Sequence, residues 1–115
     1  MKMNMTKTST LIADSDIAWT DLGDGIRRKV MAHNADMMLT KVDFQAGAIG
    51  TLHHHPHTQA SYVSKGKFEI TISGISKILS AGDVYFVPSG EIHGALCLEA
   101  GELIDVFSPM RADFL

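Results

Sequence analysis

Only one cysteine, Cys97, stands in the 115 residues, so no disulfide can form within the chain and a secreted, disulfide-stapled scaffold loses its main support. Nor does any apolar run approach the roughly 20 residues that a membrane-spanning helix needs, so the protein reads as soluble. The stretch from Met1 to Asp16 carries Lys2 and Lys7 but lacks the apolar core of a signal peptide; it is expected to be a partly ordered arm, and the protein cytoplasmic. Basic charge is scarce as well. Ten Lys and Arg against thirteen Asp and Glu give a formal net charge of −3 with no basic stripe, which argues against a nucleic acid partner. Missing too are a sustained 3.6-residue apolar period, an internal repeat and any low-complexity segment, and with them the case for a helical or solenoid fold.

What is there is a 45% hydrophobic chain of single-domain size, with the domain expected over residues 17–115. Short β-prone segments are punctuated by glycine. They predict strands at Ile17–Thr20, Ile26–His33, Met37–Phe44, Thr51–His55, Gln59–Ser64, Lys67–Ser73, Ile75–Leu79, Val84–Val87, Ile92–Leu98 and Leu103–Phe107. Turns are expected at Asp24-Gly25, Ser73-Gly74, Ala81-Gly82, Ser89-Gly90 and Ala100-Gly101, where a residue tolerant of positive φ stands. Phe68, Ile70 and Ile72 alternate with Glu69, Thr71 and Ser73, the pattern of a strand with one buried and one wet face. The chain is all-β.

The densest chemistry lies in His53-His54-His55-Pro56-His57-Thr58-Gln59. His53 and His55 are two apart, so on an extended strand both imidazoles point to one side and can grip one ion. Past Pro56, which is confined to edges and bends, Gln59 comes within reach as a third ligand, and His93 is the best-placed source of a fourth. His54 is out of phase and expected on the other face. His57 is either behind the ligands or exposed, exposure being the expectation. Cys97 lies on the face of His93 but is expected to be a buried small hydrophobe. A solvated loop is the bland alternative for the cluster.

The spacing resembles the cupins. Their first motif appears as Gly47-x5-His53-x-His55-x3-Gln59-x6-Gly66, and their second as Gly82-x5-Pro88-x-Gly90-x2-His93-x3-Cys97. The departures are Gln59 in place of the usual glutamate and Cys97 in place of the usual asparagine. The resemblance implies a cupin double-stranded β-helix, or jelly-roll barrel, with a divalent transition metal in its mouth. Imidazole-rich sites suit nickel, zinc, iron or copper, and four protein ligands leave open positions on octahedral nickel, iron or manganese but close tetrahedral zinc. A neutral carboxamide also leaves the ion its full charge.

The last segment, Asp105-Val106-Phe107-Ser108-Pro109-Met110-Arg111-Ala112-Asp113-Phe114-Leu115, resembles the ending of single-domain cupins of the KdgF type, found in pectin and alginate breakdown. Carried over position by position, that resemblance implies metal ligands His53, His55, Gln59 and His93, and a substrate site shaped by Asp105, Phe107 and Arg111. The residues support this in their own right. Asp105 and Phe107 share a strand face, where an acid beside an aromatic is costly without a partner or a task, and a guanidinium is a natural clamp for a carboxylate. The bland readings are that Asp105 satisfies a buried backbone group or a ligand N–H, Phe107 fills core and Arg111 is solvated. The implied activity is metal-dependent ring opening and ketonisation of 4,5-unsaturated monouronates, small sugar acids. A mononuclear-metal dioxygenase and a non-catalytic sugar-binding or sensor cupin are the alternatives. A homodimer is expected, because jelly rolls present exposed edges that commonly pair about a twofold.

Overall fold

The computed structural model describes residues 10–115; residues 1–9 of the expected arm lie outside the described residues. Eight strands follow in order: β1 (Thr20–Gly23), β2 (Ile26–His33), β3 (Met38–Phe44), β4 (Ile49–His53), β5 (Thr58–Ile72), β6 (Ile75–Ser80), β7 (Val84–Val87) and β8 (His93–Ser108). Every pairing between them is antiparallel.

Two strands differ from the sequence expectation in a way that makes the fold. The segments expected as Gln59–Ser64 and Lys67–Ser73 form one strand, β5, and Ile92–Leu98 and Leu103–Phe107 form another, β8. Their paired register slips between Val63 and Phe68, so both strands bend there and each serves two layers. The first half of β5 and the second half of β8 join β1, β2, β3 and β7; the other halves join β4 and β6. The expected turn at Ala100-Gly101 is therefore strand, opposite Gly66. At Gly66, φ is +81°, and a Cβ there would collide with the carbonyl oxygens of Glu99 and Ala100. Glycine is required because two bent backbones press together, not because the chain reverses. The first strand is also displaced, from Ile17–Thr20 to Thr20–Gly23.

Between the layers, Val42, Phe44, Val63 and Leu103 meet Phe68, Ile70, Leu79 and Cys97. Phe44 meets the edge of Phe68 at 5.2 Å between centroids and links the two sheets. Full burial of such side chains contributes about 1.5–3 kcal/mol each. Cys97 is buried in this core, as its residue type suggests. Ahead of β1, a 3-10 turn at Asp14–Asp16 lies over β2. There the buried Lys29 ammonium donates to the carbonyls of Asp14 and Ile17 and pairs with the Asp14 carboxylate at 2.8 Å. Among the described residues no helix is long and apolar enough to cross a membrane.

Register also sets what lines the barrel. Thr40 on β3 stands opposite Asp105 on β8, Asp105 opposite Ser61 on β5, and Ser61 opposite Tyr85 on β7. One interior row is therefore polar across four strands. Its neighbours are Met38, Phe107, Gln59 and Val87 on one side and Val42, Leu103 and Val63 on the other.

Candidate metal centre

His53 ends β4 and His93 begins β8, and the two residues are cross-strand partners. The β4 strand stops at His53, so His55 reaches the same point from the loop beyond it rather than from the strand face expected. Gln59 arrives from the start of β5. The three histidines bring one ring nitrogen each within 4.8 Å of one another.

The decisive feature is where the other ring nitrogens go. Nδ1 of His53 lies 2.8 Å from the Thr51 carbonyl, Nδ1 of His55 lies 3.0 Å from the His57 carbonyl, and Nδ1 of His93 lies 3.0 Å from the Glu91 carbonyl. A carbonyl only accepts, so each Nδ1 carries the proton and donates. In a neutral imidazole Nε2 is then a bare lone pair. Burial holds His55 below the ordinary histidine value and His93 down to about 4, so both are neutral near pH 7. Their Nε2 atoms nonetheless face the Gln59 carbonyl oxygen at 3.0 and 3.1 Å. Lone pairs converging with no proton between them repel, and a cation at their centre turns that repulsion into coordination. The donor set therefore fits a metal ion.

A second chain of bonds fixes the amide. Gln59 Nε2 donates to Ser61 Oγ at 3.0 Å, and Ser61 Oγ donates to Asp105 Oδ1 at 2.5 Å. An ionised carboxylate only accepts, so Ser61 spends its proton on Asp105 and must accept from the Gln59 NH₂ group. The amide oxygen is thereby turned to the imidazoles. Asp105 itself is buried, and that burial pushes its carboxyl up to about 6 despite the Ser61 bond and the Arg111 and Arg28 charges. Tyr85, beside Ser61 and Asp105, is pushed well above the usual phenol value by burial.

These groups open onto a cavity of about 440 Å³, within the range of small-molecule sites. Phe107 is buried, its ring 5.7 Å from that of His55. Arg111 also lines the cavity, stacked at 4.3 Å over Phe114, with its Nε and Nη2 donating to the two Asp113 carboxylate oxygens. The structure thus brings together all seven residues singled out in the sequence, though Arg111 is half-buried and paired rather than solvated. His54 is exposed, as its phase suggested. His57 is a correction: it is half-buried, its ring 5.4 Å from that of His55, because its carbonyl has to lie under His55 to orient it. Sequence reasoning missed Arg28, Ser61, Tyr85 and Phe114. A larger groove of about 750 Å³ beside Trp19 and the strand bends contains none of the ligands.

The Cupin domain family matches residues 40–107. The pectin degradation protein KdgF of Dickeya dadantii (strain 3937) is 49% identical over 104 residues, which cover 89% of this chain and 94% of that one. The chain belongs to the cupins, among those of the KdgF type. Solved structures agree for this KdgF-type cupin. An RmlC-like cupin from Shewanella frigidimarina NCIMB 400 superposes with a TM-score of 0.90 at 40% identity, covering 94% of this chain and 98% of that one. KdgF from Halomonas sp. superposes at 0.89 with 41% identity, covering 94% and 100%.

Proposed function

We propose that this KdgF-type cupin acts in pectin or alginate breakdown, converting 4,5-unsaturated monouronates to linear keto sugar acids. One observation carries the reading beyond the family likeness. A buried carboxyl, Asp105, pushed up to about 6, lines the cavity together with His53 and His93 of the three-histidine cage and the guanidinium of Arg111. A carboxyl in that range both accepts and donates protons near neutral pH.

The reaction is an isomerisation. The C1 hydroxyl loses its proton as the bond from C1 to the ring oxygen breaks, leaving an aldehyde and an enol. The enol oxygen then gives up its proton as C4 gains one, and the ketone forms. His53, His55, Gln59 and His93 would hold the metal, with Gln59 as the fourth, uncharged ligand. When bound, the metal supplies Lewis-acid polarisation of a substrate oxygen, undiminished by an anionic ligand. Nickel, iron or manganese suits the set better than zinc, because octahedral ions keep positions free beside four protein ligands. Asp105 moves the proton between oxygen and carbon. Phe107 packs on the sugar ring, and Arg111 contributes positive charge toward the carboxylate.

Decay of the alkene absorbance of a freshly generated unsaturated uronate tests the reading. Metal-loaded protein should accelerate it and His93→Ala should not. No acceleration by protein with metal confirmed bound would sink the proposal, and oxygen uptake by the iron-loaded protein would replace it with a dioxygenase. The cytoplasmic placement belongs to the same proposal.

A homodimer belongs to it too. Val84, Phe86 and Tyr62 are exposed on the outer face of β7 and β5, where Tyr62 pairs with Val84 and Ala60 with Phe86. A second copy covering this apolar stripe accounts for it. Light scattering should give twice the chain mass, and Phe86→Glu should give the single mass.

A further inference from the structure

The run Arg27-Arg28-Lys29 on β2 looks like a charged, solvated face, yet its three cations meet three fates. Arg27 faces outward and pairs with Asp43 at 3.0 Å. Lys29 is buried beneath the Asp14–Asp16 turn and pairs with Asp14. Arg28, between them on the opposite strand face, is half-buried and lines the cavity of the metal centre together with His53, His93 and Asp105. Its guanidinium lies 3.6 Å from the centroid of the Phe114 ring. Among the described residues it makes no hydrogen bond and no ion pair.

Arg111 reaches the same ring, 4.3 Å from its centroid, but its Nε and Nη2 are bound to the two Asp113 oxygens at 3.1 and 2.9 Å. One edge of Arg111, two of its five N–H groups, is therefore engaged, and its charge is offset by the Asp113 carboxylate. A guanidinium stays charged in any protein and is costly to hold partly desolvated without an acceptor. Two guanidiniums crowded against one aromatic ring raise that cost, since each repels the other. An anion in the cavity removes it, and Arg28, with all five N–H groups free and no carboxylate paired to it, is the cation with the more to gain from one. Phe114 holds the plane of that guanidinium by stacking, which lowers the freedom lost when two parallel hydrogen bonds form.

We propose that Arg28 is the residue that binds the carboxylate of the substrate, with Arg111 a positioning charge locked by Asp113. This rests on the uronate reading and deepens it. It assigns discrimination between sugar acids and neutral sugars to β2 rather than to the carboxyl-terminal segment.

The test uses the full chain loaded with metal. KM and kcat for the unsaturated uronate are measured for the wild type, Arg28→Ala and Arg28→Lys, and calorimetry follows the binding of galacturonate and of galactose as saturated probes. Thermal melting shows that each variant folds. Arg28→Ala should raise KM and the galacturonate Kd about 10- to 100-fold, the worth of a hydrogen-bonded charge, with a much smaller change in kcat. It should also erase the preference for galacturonate over galactose. Arg28→Lys should fall between, because an ammonium keeps the charge and loses the fork; it decides the matter if the alanine variant does not fold. Variants within twofold of the wild type in KM and galacturonate Kd overturn the assignment while leaving the uronate reading standing. A wild type that neither consumes the unsaturated uronate nor binds galacturonate overturns both.

Discussion

Replacing Asp105 by Asn should make the metal-free protein more stable near neutral pH. Burial raises the Asp105 carboxyl from 3.8 to about 6 in the folded chain. Between those values the unfolded chain has already released the proton while the folded one keeps it, so folding loses stability as pH rises. The slope is about 1.4 kcal/mol per pH unit, and the loss totals about 3 kcal/mol once the pH passes 6. Asparagine imitates the protonated acid and avoids this cost. The wild type hides the effect because His93 acts in the opposite direction: held down to about 4 from 6.5, it costs stability as pH falls across almost the same window. The two slopes nearly cancel between pH 4 and 6, and the lowered His55 adds a modest upward tilt. Urea unfolding with chelator present, at half-unit steps from pH 4 to 7, should therefore show curves that meet near pH 4. They should diverge until the variant leads by about 3 kcal/mol, or roughly 10 °C in melting temperature. Parallel curves would refute the buried-carboxyl reasoning. The chelator is necessary because a bound cation pulls Asp105 back down.

With metal restored the same substitution should cost at least tenfold in turnover of the unsaturated uronate, since acid–base help is typically worth about 10²–10⁴; full activity would remove Asp105 from the mechanism. Gly66→Ala should lower the free energy of unfolding by at least about 2 kcal/mol, because positive φ and contact with the Glu99 and Ala100 carbonyls act together. Gly74→Ala, with the same φ but open space around it, should cost only about 1 kcal/mol, and urea midpoints compare the two.

The all-β character and most strand positions were legible because alternation and glycine punctuation are local signals. The joining of two pairs of segments into β5 and β8 was not. Ala100-Gly101 looks like a turn in one dimension and Gly66 like a break between two strands, and only the approach of the second backbone shows that these glycines permit contact rather than reversal. The metal cage was legible from the spacing of His53, His55 and His93, although β4 ends before His55. Its orientation was not, because the carbonyls under the rings belong to Thr51, His57 and Glu91, and backbone groups leave no trace in residue type. Arg28 was hidden by its neighbours: in a strand, three consecutive cations point to two faces, and which face is the cavity depends on a register read only across β3 and β8.

The presence of glutamine rather than glutamate at position 59 is tied to Asp105. Ser61 has one proton, and in this site it goes to Asp105, leaving Ser61 to accept from the Gln59 NH₂ group. A glutamate at this position has no N–H to give, so two carboxylates would compete for one hydroxyl and one would be left without a donor. Gln59→Glu alone should therefore destabilise the metal-free protein. In an Asp105→Asn background the chain of bonds can run backwards, with the introduced amide donating to Ser61 and Ser61 donating to the introduced carboxylate. The paired exchange should recover at least about 1 kcal/mol relative to the sum of the single changes, within the range seen for residues in one hydrogen-bonded network. Urea unfolding of the four chains with chelator present measures that coupling. Additivity within about 0.5 kcal/mol would show that the direction of the Gln59-Ser61-Asp105 chain does not govern which residue can stand at position 59.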